Sequence, residues 1–159
     1  MLTKLLPDQI AKFWDVISYA LDQSPPITLA NPEDWKSRIL TSVLSGRASV
    51  WASYDKSGKG TVLEGIVFTS ILTDSLVMVN SLLIYYLYGY TKIPLESYKN
   101  GLMTLAKYAK SKNCHNILAY TNDDRIIEIV TQLGADASVR LITFDIQRCL
   151  NNLINYIGE

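Results

Sequence analysis

The apolar positions Ile10, Phe13, Trp14, Ile17 and Leu21 fall three or four residues apart, the interval that lines one face of an α-helix, and Pro7-Asp8 supplies a proline and an acid for its first turn. Ser24-Pro25-Pro26 ends this pattern, because each proline lacks a backbone donor and restricts the residue before it. A second helix is predicted from the start Asn31-Pro32-Glu33-Asp34, with Trp35, Ile39, Leu40, Val43 and Leu44 facing inward and Gly46 at its end. The period then shortens to that of strands. Residues 50–55 and 62–72, rich in β-branched and aromatic side chains, flank Lys56-Ser57-Gly58-Lys59-Gly60 and predict an antiparallel hairpin. After Thr73-Asp74-Ser75 comes a run over residues 76–88, apolar along most of its length, as expected of a central strand covered on both faces, with a bend at Asn80-Ser81.

Pro94 opens a long amphipathic helix through Lys112, with Leu95, Tyr98, Leu102, Leu105, Ala106 and Ala109 inward, lysines outward and Asn113 at its end. A short strand over residues 116–121, a helix from Asp123-Asp124 to Leu133 stopped by Gly134, and a last strand over residues 139–146 follow. Leu150, Leu153, Ile154 and Ile157 return to helical spacing in the tail. Hairpin-linked strands followed by β-α-β units predict a mixed α/β (α+β) sheet with flanking helices. Residues 1–146 are expected to form one domain, and residues 147–159 a helical tail packed on it or on a partner.

Composition narrows the function. The chain has 159 residues, 48% of them hydrophobic, enough to build one core. Fifteen basic residues balance fifteen acidic ones, so the broad positive field used by nucleic-acid and anionic-membrane binders is absent. Cys114 and Cys149 belong to no metal-binding or disulfide spacing, so no metal site is expected. The first residues form no signal-peptide pattern, and the longest apolar stretch, residues 82–88, is far short of the ~20 residues of a membrane span, so no membrane partner and no export by that route are expected.

Several residues have a chemical reading and a plain one. Lys56-Ser57-Gly58-Lys59-Gly60-Thr61 hints at a phosphate loop but lacks its first glycine and joins two predicted strands, which favours a hairpin turn. His115, the single histidine, adjoins Cys114, yet a nucleophile needs a base placed beside it in space, so an ordinary helix-end histidine is favoured. Tyr85, Tyr86, Tyr88 and Tyr90 suit either sheet packing or a ligand slot. The tryptophans Trp14, Trp35 and Trp51 read as core, the lysines Lys99, Lys107, Lys110 and Lys112 as a solvated helix face, and Asn122 to Asp124 as a helix cap.

The order of two helices, a three-stranded meander, a long helix, then strand, helix and strand resembles the acyl-CoA N-acyltransferase (GNAT) fold over nearly the whole chain. The sequence also resembles a divergent GNAT-like set from tailed bacteriophages, through Ile10-x-x-x-Trp14, Leu44-Ser45-Gly46, Ala109-Lys110-Ser111-Lys112-Asn113-Cys114 and Leu133-Gly134. This resemblance implies an acetyl-CoA pyrophosphate loop between the third meander strand and the long helix, where the chain reads Tyr88-Gly89-Tyr90-Thr91-Lys92-Ile93-Pro94, with one glycine and a proline that removes a donor. It implies a general-acid tyrosine four residues before Gly134, where Val130 stands, and an aromatic residue after that glycine, where Ala135 stands.

Candidate substitutes under the resemblance are Tyr90, Tyr120 and Glu64 for catalysis, and Tyr88, Gly89, Tyr90, Thr91 and Asn122 for the cofactor, with Tyr85, Tyr86 and Asp74 also near the expected cleft. Asn80 is the one amide on the third meander strand. The first reading is a phage-type GNAT protein with a degenerate acetyl-CoA site. It would be a non-catalytic binding or virion-assembly component in the host cytoplasm, partnered by other protein subunits and requiring no cofactor. The alternative is an N-acetyltransferase that uses acetyl-CoA. The gap between the strands on either side of the long helix separates the two, since a closed, filled gap excludes an acyl-CoA enzyme.

Overall fold

The computed structural model describes residues 1–26, 33–56, 58, 60–139, 141–143 and 145–157, with side chains to residue 151 in the last helix. The chain opens with a short strand β1 (Leu2–Lys4), which the sequence pattern does not announce, followed by α1 (Pro7–Lys12) and α2 (Trp14–Gln23). The single helix expected here is two, broken at Phe13, which leaves helical geometry with φ −101° and ψ 14°. The apolar face continues across the break because Ile10 and Ile17 both reach the core, so periodicity alone does not show it. Gln9 steadies the start of α1 by accepting the Leu6 backbone N–H at 2.8 Å. Helix α3 (Trp35–Leu44) follows as predicted, and Gly46 beyond it takes the left-handed φ of 77°. The expected cap at Asn31-Pro32 lies outside the described residues.

The strands β2 (Ala48–Asp55), β3 (Val62–Asp74) and β4 (Val79–Gly89) form the antiparallel meander, and β2 and β3 pair out to Asp55 and Val62, consistent with a hairpin turn between them; Ser57 and Lys59 lie outside the described residues. Strand β4 does not begin at Leu76 as its apolar run suggests. Asp74 accepts the backbone N–H groups of Leu76 and Val77 at 2.9 and 3.4 Å, and Met78 adopts φ 57°, so Leu76 to Met78 make the turn and stand exposed.

Helix α4 (Leu95–Ser111) is terminated by Asn113 at φ 55°, which returns the chain to β5 (Cys114–Ala119), parallel to β4. The expected irregularity at Asn80-Ser81 is present as a register shift against β5. Helix α5 (Asp124–Gln132) starts on Asp123, whose carboxylate accepts the Arg125 N–H at 2.9 Å, and stops at Gly134 with φ 92°. The last expected strand is not present among the described residues: residues 135–145, where described, are irregular, with Val139, Leu141 and Ile142 exposed. The tail is helical as expected, α6 (Ile146–Ile157).

The sheet order is β1-β2-β3-β4-β5, mixed, with β5 at one edge. Alternation along each strand sends Val50, Ala52, Ile66, Phe68 and Tyr86 toward Ile17, Leu21 and Val43 of the N-terminal helices. It sends Trp51, Val67 and Leu82 toward Leu105 and Ala109 of α4. The N-terminal helices are pinned as well as packed: Tyr86 donates its hydroxyl to the Ala20 carbonyl at 2.6 Å and Tyr90 donates to the Val16 carbonyl at 2.8 Å. No described helix is long and apolar enough to cross a membrane.

Candidate active site

Two parallel strands stay together only while their ladder lasts. The pairing of β4 with β5 runs from Asn80 and Cys114 to Ile84 and Ala119 and ends there, whereas β4 continues beside β3 to Gly89. The parting coincides with a bulge. Phe68 pairs with Tyr86 and Thr69 with Ile84, so Tyr85 is an extra residue that bends β4 where β5 leaves it. Beyond this point β4 has β3 on one side and, on the other, a cavity of about 610 Å³. That volume lies in the range of small-molecule sites.

The cleft has an apolar slot and a polar mouth. Leu87 from β4, Leu102 and Leu105 from α4, and Ile126 and Val130 from α5 supply the slot. Thr91 and Lys92 line it from the loop before α4, and Tyr120 to Asp123 from the loop after β5. Ser24 to Pro26, after α2, border it as well. Among the described lining residues the charged groups are Lys92, Asp123 and Arg125. Tyr98, in the first turn of α4, also lines the cleft, and burial raises the pKa of its phenol above the ordinary value, partly offset by Arg125. It is therefore a neutral proton donor at physiological pH.

Behind the cleft lies a buried carboxylate. Glu64, only 4% exposed, accepts the hydroxyls of Ser53 at 2.8 Å and Ser97 at 3.0 Å, joining β2, β3 and α4; both serines line the cleft. Next to it Gly65 is obligatory, since a Cβ there would lie 2.6 Å from the Tyr88 carbonyl oxygen and 3.1 Å from Ile93 Cδ1. Backbone approaches backbone so closely here that the β3–β4 ladder and the loop after it close over one position.

The candidate residues divide accordingly. Tyr88, Gly89, Thr91, Tyr120 and Asn122 line the cleft. Tyr90 is not among its described lining residues; its hydroxyl is engaged by Val16, and burial, with Tyr88 and Tyr19 adding to it, pushes its pKa up to about 12. Glu64 reaches the cleft only through its serine partners. Asp74 is remote, in the β3–β4 turn. Cys114 and His115, adjacent on β5, point to opposite faces of the strand and form no pair. Val130 does face the cleft, in the position where the resemblance expects an acid, but it has no proton to give. The residues that sequence pattern alone does not single out are Tyr98, Ser97, Ser53 and Arg125. Tyr98 and Ser97 lie on a helix whose periodicity marks packing, and only the neighbouring strands turn that face into a wall.

No family model matches the sequence, and no curated protein matches it. Solved structures match in shape. A probable acetyltransferase superimposes with a TM-score of 0.68 at 10% identity, over 92% of this chain and 97% of that one. A ribosomal-protein-alanine N-acetyltransferase from Brucella melitensis biovar Abortus 2308 gives 0.63 at 11% identity, over 91% and 99%. An aminoglycoside acetyltransferase from an uncultured soil metagenomic sample, in complex with sisomicin, gives 0.65 at 12% identity, over 91% and 93%. The chain thus has the GNAT acetyltransferase fold; likeness at this identity speaks to the fold alone.

Proposed function

We propose that the protein is a GNAT-type N-acyltransferase that takes acetyl-CoA into the cleft between β4 and β5 and transfers the acetyl group to an amine by direct attack. The observation that carries this reading is the open gap beyond Ile84 and Ala119, where a scaffold would gain more from a continued ladder. Acetyl-CoA brings an activated thioester. The apolar slot of Leu87, Leu102, Ile126 and Val130 suits its pantetheine arm. Lys92 and the N-terminus of α4 face its phosphates, although Pro94 lacks an N–H and Glu96 places a negative charge in the first turn, so affinity is expected to be modest.

The backbone of β4 past the bulge offers donors to the oxyanion that develops as the amine attacks the carbonyl carbon. Tyr98, held neutral, protonates the departing thiolate as the carbon–sulfur bond breaks, with Tyr120 the second phenol at the cleft. Asp123 or solvent at the mouth removes the proton from the amine, Asp123 being the carboxylate among the described lining residues. Glu64 holds Ser97, and with it the first turn of α4, in place.

A second reading is favoured by one observation, that Tyr90 and Glu64 are committed to internal hydrogen bonds while Val130 replaces an acid. On that reading the chain is a non-catalytic binding or assembly component, the role suggested by the phage-type sequence resemblance. Calorimetric titration with acetyl-CoA separates the two. Saturable binding that Val130→Trp, which fills the slot, weakens by about tenfold or more supports the enzyme and justifies a thiol-release screen of amines. No heat of binding at millimolar ligand overturns it.

A further inference from the structure

We propose that the acyl donor carries an apolar chain of medium length, longer than acetyl, held in an arm of the cleft that runs beneath α4 toward β1. The inference rests on the acyltransferase reading and names its donor. The cavity that opens between β4 and β5 does not stop there. Leu2 of β1, Ser53 of β2, and Gly65 and Val67 of β3 line it as well, together with Ser97, Gly101 and Leu105 of α4. The slot suited to pantetheine lies between β4, α4 and α5, so this far end is left for the group beyond the sulfur.

Strand register accounts for the space. Leu2 pairs with Ser53, Ser53 with Gly65 and Gly65 with Gly89, so the four form one line across the sheet. Leu2 packs with Leu105 and Ala109, which turns that line toward α4. A Cβ on Gly101 of α4 would meet Leu2 Cδ2 at 3.9 Å and no other atom within 4 Å beyond its own helix. Ile93 walls the arm on the side of the loop before α4, its Cδ1 lying 3.1 and 3.2 Å from where Cβ atoms on Gly65 and Gly89 would stand.

The lining selects the chain. Leu2, Val67, Leu87 and Leu105 are apolar, and the hydroxyls of Ser53 and Ser97 both donate to Glu64, so neither proton is stranded against a hydrocarbon. The Glu64 carboxylate behind those serines opposes a carboxylated chain such as succinyl, and the cations among the described lining residues, Lys92 and Arg125, stand in the loop before α4 and at the start of α5. Neighbouring strands lie about 4.8 Å apart, so Ser53 on β2 is about 10 Å from β4, where the thioester carbonyl would meet the backbone, and an octanoyl chain has that reach.

The test is calorimetric titration of the full chain with acetyl-CoA, succinyl-CoA and octanoyl-CoA, with Gly101→Leu alongside and far-UV circular dichroism to check its fold. Octanoyl-CoA is expected to bind at least about tenfold tighter than acetyl-CoA, and Gly101→Leu, which fills the arm, to bring octanoyl-CoA down to the affinity of acetyl-CoA. Acetyl-CoA or succinyl-CoA binding as tightly as octanoyl-CoA overturns the proposal and leaves the acyltransferase reading standing. An octanoyl gain that survives Gly101→Leu overturns it by placing the chain elsewhere. If none of the three binds, the acyltransferase reading falls and the proposal falls with it. Should Gly101→Leu unfold the chain, Gly101→Ala, whose Cβ has room, replaces it with a smaller expected loss, and the comparison of donors on the wild-type chain decides the matter without either.

Discussion

Ser97 donates its hydroxyl to Glu64 at 3.0 Å, and this bond ties the first turn of α4 to β3 behind the cleft. Glu64 also holds Ser53, so the carboxylate is the shared acceptor of two hydroxyls. Replacing it by alanine leaves both without that partner and opens a void, and a loss of about 1–3 kcal/mol is expected in chemical denaturation. Glu64→Gln retains one acceptor oxygen and should lose less. If Glu64→Ala unfolds at the wild-type denaturant midpoint, the carboxylate does not hold α4.

Gly65 cannot accept a side chain without moving backbone. The nearest obstacle is the Tyr88 carbonyl at 2.6 Å, which is part of the ladder and cannot rotate away as a side-chain tip would. Gly65→Ala is expected to cost about 1–3 kcal/mol, a fall in melting temperature of several degrees, and, on the acyltransferase reading, to weaken acetyl-CoA binding by shifting Tyr88 and Gly89. An unchanged melting temperature would contradict the close approach.

Much of the architecture is legible in the sequence, for reasons that particular residues make plain. Turn chemistry and periodicity coincide in α5, where Asp123 caps and Gly134 terminates, and in α4, where Asn113 takes the left-handed conformation that its side chain tolerates. The cleft is different. Residues 82–86 are all apolar or aromatic, so no alternation shows that Tyr85 is extra, and the bulge is decided by pairing with a strand more than ten residues away. Leu76 to Met78 mislead because apolarity suggests burial, whereas Asp74 closes the turn. Residues 139–146 read as a strand, but a strand needs a neighbour, and that requirement is not local.

The two phenols that pin the N-terminal helices make stability depend on alkaline pH. Burial raises the pKa of Tyr86 and, to about 12, that of Tyr90, while an unfolded tyrosine ionises near the usual value of about 10. The folded state therefore favours the neutral phenols. The contribution of Tyr90 is complete below about pH 10 and is lost as pH rises through about 12, and that of Tyr86 persists to higher pH. Equilibrium unfolding followed over this window should show the decline, and Tyr90→Phe should flatten part of it while removing about 0.5–1.5 kcal/mol at neutral pH.

Tyr98→Phe tests the chemistry on the acyltransferase reading. It removes the proton donor and keeps the ring that packs against the cleft, so kcat should fall by about 10²–10⁴ while acetyl-CoA affinity is kept. The alkaline limb of the wild-type pH profile should disappear with it. Equal losses in binding and turnover would make Tyr98 a wall residue only.

Trp51 is buried on the α4 side of the sheet, where its indole donates to the Thr69 hydroxyl at 2.9 Å and meets the Tyr108 ring edge-on at 4.9 Å. Trp14 and Trp35 pack against the opposite face. With those two replaced by phenylalanine, the emission wavelength of the remaining indole reports whether α4 is seated on the sheet. Because α4 is a wall of the cleft, on the acyltransferase reading a ligand that shifted α4 on entering between β4 and β5 would be seen as a colour change from within the fold, without an attached label.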